Sequence, residues 1–321
     1  MVVRFHIEAD TPECAQRLPA DQQALTVGGS AETEQGTHMN FFKKLLISLK
    51  GRSTQDAQPT PYPIELQVPV TPGHLAESES EPESEAANQA ARQASEACLD
   101  RHWGSVGIVE RDVLSYIISP SFSGGPYWPS TRQAYRVVRR GDTVIIATEG
   151  LSDPFDDPEG MGNGFEMELF IETADIPEHV RGSLGEVDPL KRSWAFELVE
   201  HVAKTVADAG GITHQLEQYG ALSLEIPGFS LSHHMSDQVP TLFVTEDDST
   251  GVLLGAPEPD FSTRLDDMPL SPVSLVPVVL ITASELEYVR AGGRVAREDL
   301  VNRLKAAGIG HLSTLHRASV I

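Results

Sequence analysis

In GMGNGFEMELFIET, residues 160–173, three glycines fall at every second position, a spacing met in loops that wrap phosphate. A dinucleotide loop needs a strand before its glycines and a helix after them, because the helix N-terminus supplies the amides that hold the phosphate. Here the residues after Gly164 alternate like a strand, and the preceding DPFDDPE (153–159) would repel an anion. No Gly-Lys-Ser/Thr follows, which excludes a P-loop. The glycines read as turn residues.

Other reactive groupings fare no better. GFSLS (228–232) lacks the closing glycine of a Gly-x-Ser-x-Gly elbow. His233 and His234 with Asp237 are metal-ligand types, yet adjacent histidines on a strand point to opposite faces. His311 and His316 are five residues apart, poor spacing for one helical face, and neither HExxH nor a zinc-type cysteine pair occurs. Glu197 and His201 lie one turn apart on a predicted helix, the spacing of an exposed side-chain pair. Asp153, in GLSDPF (150–155), follows a strand directly; it either serves catalysis or stabilises its own turn, the second being the ordinary role. No catalytic residue, cofactor or metal is expected, and a hydrolase using Asp153 or His233–His234 is the last alternative.

The elements that would position these residues are of both kinds. Strand-like runs are AYRVVR (134–139), TVIIAT (143–148), FEMELFIE (165–172), ALSLEIP (221–227), TLFVTE (241–246), GVLLGAP (251–257) and SLVPVVLIT (274–282). RRGD (139–142) between the first two predicts a hairpin. Helical periodicity is clearest from Ser193, a cap, through Trp194, Leu198 and Val202 to Gly210–Gly211. Thr282 and Glu285 have capping-box spacing for a helix that stops at Gly292–Gly293, and REDLVNRLKAAG (297–308) predicts another. Upstream, residues 1–38 read as a polar extension and 39–51 as a short basic amphipathic helix. Residues 52–98 read as a disordered Pro/Glu-rich linker, leaving 99–321 as the folded domain. The expected fold is α+β, a single domain with a mixed, largely antiparallel sheet flanked by helices, preceded by a disordered N-terminal region.

Charge narrows the partners. The 321 residues hold 47 Asp and Glu against 24 Lys and Arg, a net charge of −23; residues 106–321 alone hold 32 against 16. Such a surface repels nucleic acid and anionic membranes and speeds encounter with a basic partner, solubility being the competing explanation. No stretch reaches the ~20 apolar residues of a membrane span, although residues 41–50 would allow weak membrane contact. Cys14 and Cys98 both fall outside the part read as folded, so no thiol chemistry is assigned to residues 106–321. The N-terminus carries acids where a signal peptide needs a basic start and an apolar core. The cytoplasm is the expected location.

In FEMELFIE, Phe165, Met167, Leu169 and Ile171 alternate with Glu166, Glu168, Phe170 and Glu172. One face is core; the other is a row of carboxylates around one aromatic, either a solvated face or a surface for a basic partner. TEDD (245–248), EPD (258–260) and LDDMP (265–269) add acidic patches near GVLLGAP. The partner-binding candidates are Glu166, Glu168, Phe170, Glu172, Asp247 and Asp248.

Together GGPYWPSTRQAYRV (124–137), TEGLSDPF (148–155), GNGFEMELFIET (162–173), SWAFELVEHVAK (193–204), GVLLGAP (251–257), SLVPVVLITASELEYVRAGG (274–293) and LVNRL (300–304) resemble the suppressor-of-fused-like domain family. The resemblance spans about residues 105–321 and implies an α+β fold that binds other proteins, with no established catalytic residues. Its animal members are cytoplasmic regulators that clamp a transcription factor's peptide with a second domain; no segment of this sequence resembles that domain, so the same mode of binding is not expected here. Its bacterial members look like immunity proteins of polymorphic toxin systems. The function implied is a non-catalytic protein-binding module, an immunity protein that neutralises a basic toxin domain. The alternative is a cytoplasmic adaptor for a peptide ligand.

Overall fold

The computed structural model describes residues 4–5, 81–116, 125, 128–130, 132–154 and 162–321. In chain order its elements are β1 (Arg4–Phe5), α1 (Glu81–Val106), β2 (Ile108–Val109), β3 (Leu114–Ser115), β4 (Ala134–Arg140), β5 (Thr143–Glu149), β6 (Met167–Thr173), α2 (Glu178–Arg181) and α3 (Trp194–Asp208). These are followed by α4 (Thr213–Tyr219), β7 (Leu222–Pro227), α5 (His233–Gln238), β8 (Ser249–Leu254), β9 (Arg264–Leu265), β10 (Val273–Ile281) and α6 (Ala283–Ala306). The strands form one sheet in the order β1-β7-β8-β10-β6-β5-β4-β2, with β3 also on β4 and β9 also on β10. Among the described residues only β10 and β6 run parallel; the other pairs there are antiparallel. The sheet is mixed and largely antiparallel, as its sequence implies.

Alternation along the strands sends side chains to two covered faces. On one, Val137, Val144, Ile146, Met167, Leu169 and Ile171 meet the apolar stripe of α3 headed by Trp194. On the other, α1 packs Cys98, Leu99 and Trp103 on Val138, Ile145, Ala147 and Phe170. Alongside, α6 packs Leu286, Val289, Leu300 and Leu304 on Leu253, Val279 and Ile281. A sheet covered on both faces leaves strand β6 buried along its whole length.

The local signals hold where they are strongest. Arg140 pairs with Thr143 across the two-residue turn at Gly141, closing the β4–β5 hairpin. Ser193 Oγ caps α3 by accepting from Phe196 N at 3.2 Å. Thr282 and Glu285 form a reciprocal capping box, and Gly293, at φ 54° and ψ −134°, breaks the helical path within α6 where a stop was expected.

Three expectations are corrected. The linker proposed for residues 52–98 is helical from Glu81, because acids and Pro82 occupy its first turn and an alanine-rich stretch follows; low hydrophobicity hid a good helix former. Cys98 accordingly lies in the core, 2 % exposed, not outside the folded part. TLFVTE is not a strand: Thr241–Phe243 is a 3₁₀ turn after Pro240, and the chain returns at Asp248 into β8. The basic segment 39–51 lies outside the described residues. Arg4 and Phe5, within the stretch read as a polar extension, pair with Glu225 and Leu224 on the outer edge of β7.

Candidate functional site

Three of the motif segments converge at one end of β5 and β6. Phe165 N donates to Leu151 O at 2.8 Å, and Gly164, at φ 53°, sits so close that a Cβ there would fall 2.5 Å from both Leu151 O and Asp153 O. Gly150 lies equally close to Arg132 O. The glycines are therefore turn residues whose missing side chains let loops touch.

Charged side chains fasten this convergence. Arg132 holds both oxygens of Asp153 at 3.0 and 3.1 Å and also reaches Glu149 and, on α1, Glu96. Arg136 forks onto Glu149 at 2.9 and 3.1 Å and pairs with Asp100, one turn beyond Glu96. Ser130 Oγ donates to Asp153 at 2.7 Å. Asp153, 3 % exposed, is thus a buried anchor whose two oxygens accept three hydrogen bonds from Ser130 and Arg132. Arg132 and Arg136 went unremarked at the sequence level. Arg136 lies on β4 while Arg132 stands two residues before that strand, so strand alternation alone does not bring the two together; the shared carboxylate of Glu149 does.

The row of carboxylates on β6 is covered rather than presented. Glu168 is fully buried and accepts from Thr148 Oγ1, Ser152 Oγ, Ser152 N and Gly150 N. Burial pushes its carboxyl above the ordinary range, opposed by these donors. Phe170 lies edge-on to Trp103 of α1, ring centroids 5.8 Å apart. Glu172, 1 % exposed, meets His311 Nε2 at 2.7 Å, Thr143 Oγ1 at 2.6 Å and Arg140 at 3.2 Å. Burial would raise its carboxyl, but His311, Thr143 and Arg140 outweigh that and hold it low. Burial removes Glu168, Phe170 and Glu172 from a partner's reach. Glu166, half-buried at φ 56°, turns the chain into the strand.

The acidic patches are partly neutralised from within. Asp260 pairs with Arg140, Asp266 with Arg264, and Asp267 with Arg101, while Asp247, exposed, takes Arg290. Asp248, at φ 58°, pins the 228–230 turn: its carbonyl accepts from Gly228 N and Phe229 N, and its carboxylate takes Ser230 N and Oγ at 3.0 and 2.7 Å.

That turn walls an apolar cleft of about 210 Å³ beside α3. Ile226, Phe229 and Met235 are its buried lining, Leu231 stands 88 % exposed, and Glu197 and His201 of α3 complete it. GFSLS is therefore a cleft wall, not a nucleophile elbow. His233 and His234, weighed as ligands on the premise of a strand, instead open α5 with stacked rings 5.3 Å apart, and His233 faces Asp237 at 3.4 Å. Glu197 accepts from His234 N at 3.0 Å instead of pairing with His201. Among the described residues no three His, Cys, Asp or Glu side chains are grouped to hold a metal ion. No helix there is long and apolar enough to cross a membrane.

What these residues build is a three-layer α+β domain whose motif charges are committed to one another and whose outward offering is surface. The family described as Suppressor of fused protein (SUFU) matches residues 133–318, more than half of the chain, and the chain belongs to that family. As such it is a protein-binding regulatory module. No curated protein matches the chain.

Proposed function

We propose that the chain binds and neutralises a basic protein, as an immunity protein does a toxin domain, in the cytoplasm. Family membership supports protein binding, and the excess of 32 acidic over 16 basic residues in 106–321 supports a basic partner. The charge is the observation that carries the finer reading. Opposite potentials raise association rates and reject wrong partners, and the effect weakens with salt. The test co-expresses the full chain with a panel of basic nuclease-type toxin domains and scores growth rescue, followed by complex formation from purified proteins. Rescue by a one-to-one complex that weakens as salt rises is the expected result. Rescue by none of the panel, with no complex at low salt, overturns it.

The second reading, an adaptor for a peptide ligand, is favoured by the apolar cleft beside α3. Under it, neutralisation of a toxin domain is absent while a short peptide binds on its own.

A further inference from the structure

We propose that the cleft walled by residues 228–235 receives one large apolar side chain of a protein partner, presented next to a basic residue. The inference rests on the protein-binding reading and names the surface and the chemistry it recognises. At about 210 Å³ the cleft is smaller than the ~300–1,000 Å³ of ordinary small-molecule sites, and suits a single anchoring side chain instead. Its lining is mostly apolar, with Ile226, Phe229 and Met235 buried. Leu231 extends that lining into solvent at 88 % exposure, so an incoming side chain would bury both surfaces at once.

Two polar features define the occupant further. Glu197 lines the cleft, Glu200 follows one turn on, and the carboxylate of Asp248 lies under the wall through Ser230; Asp237 is exposed on α5. Against these stand Lys204, already paired with Glu200, and the histidines His201, His233 and His234. The surround favours a cation beside the anchor. Ser232 stands at the N-cap of α5 without capping it, and its hydroxyl, shielded from solvent, has no hydrogen-bond partner among the described residues. A backbone carbonyl of the occupant would supply one.

The experiment follows the methionine methyl groups of the full chain by NMR, with Met235 assigned from the Met235→Leu spectrum. The probes are N-acetyl-Lys-Trp-Lys-amide, its Glu-Trp-Glu counterpart and Lys-Ala-Lys. Saturable movement of Met235 with Lys-Trp-Lys is expected, with Glu-Trp-Glu about tenfold weaker and Lys-Ala-Lys without effect. Leu231→Ser, a surface change that leaves the melting temperature in place, is expected to weaken Lys-Trp-Lys several-fold. No saturable movement at Met235, or equal movement with either charge, overturns the assignment. The broader reading survives that result, because it is judged separately by complex formation with an intact protein.

Discussion

Glu172 shows how a residue chosen for its charge comes to serve the fold. Its carboxyl, held low by His311, Thr143 and Arg140 against the opposing effect of burial, binds a proton less readily in the folded chain than in the unfolded one. Its stabilisation is therefore complete above the unfolded value of 4.5 and is lost as pH falls through the lower folded value. Glu172→Gln is expected to lose about 2 kcal/mol at pH near 7, and urea titrations should show that gap closing in acid. Equal gaps at both pH values would contradict the assignment. Cys98 makes the opposite case for chemistry: burial first, then the hydrogen bond it donates to Asp267 at 3.0 Å, push its thiol up to about 11. In a Cys14→Ser background, a thiol reagent is expected to label Cys98 only on unfolding, at the rate of global opening. Fast labelling of the native chain would show that α1 does not stay docked.

At the scale of elements, α1 carries the clearest consequence, since Leu99, Trp103, Glu96 and Asp100 tie it to the sheet. Beginning the chain at residue 81 is expected to leave a cooperative fold, whereas beginning it at residue 107, past the end of α1, should expose Phe170 and Ile145 and leave Arg136 without Asp100. Trp103→Ala in the full chain is expected to cost about 3–5 kcal/mol, readable from a chemical denaturation midpoint. Thr282→Ala should cost about 1 kcal/mol through the capping box of α6. The hairpin, the α3 cap and that capping box were legible because each is settled by residues a few positions apart. The fate of the β6 carboxylates was not. Alternation shows that Glu168 and Glu172 lie off the Met167 face, but what covers them comes from far away: His311 is 139 residues on from Glu172, and Trp103 on α1 comes 67 residues before Phe170. Composition also misread α1, because glutamate and alanine suit a helix terminus as well as they suit a linker. The cleft was invisible for a related reason: GFSLS was weighed as chemistry, while its part is shape supplied jointly with α3.

For the whole molecule, the net charge overstates what a partner meets, since Asp247, Asp260, Asp266 and Asp267 are already paired with the chain's own arginines. Glu246 and Glu258, both exposed, have no ion pair among the described residues and belong to the negative field that remains. A field of this kind acts on encounter more than on the lifetime of the complex, so salt should slow association while dissociation changes little. The most direct measurement captures proteins on the immobilised full chain, purifies the dominant one and follows the reconstituted complex at low and moderate salt. A basic protein that binds one-to-one, with association at least about tenfold slower at moderate salt, is the predicted result. A purified partner that is neutral or acidic and binds at the same rate in both conditions would contradict the reading of this domain as the acidic half of a complex.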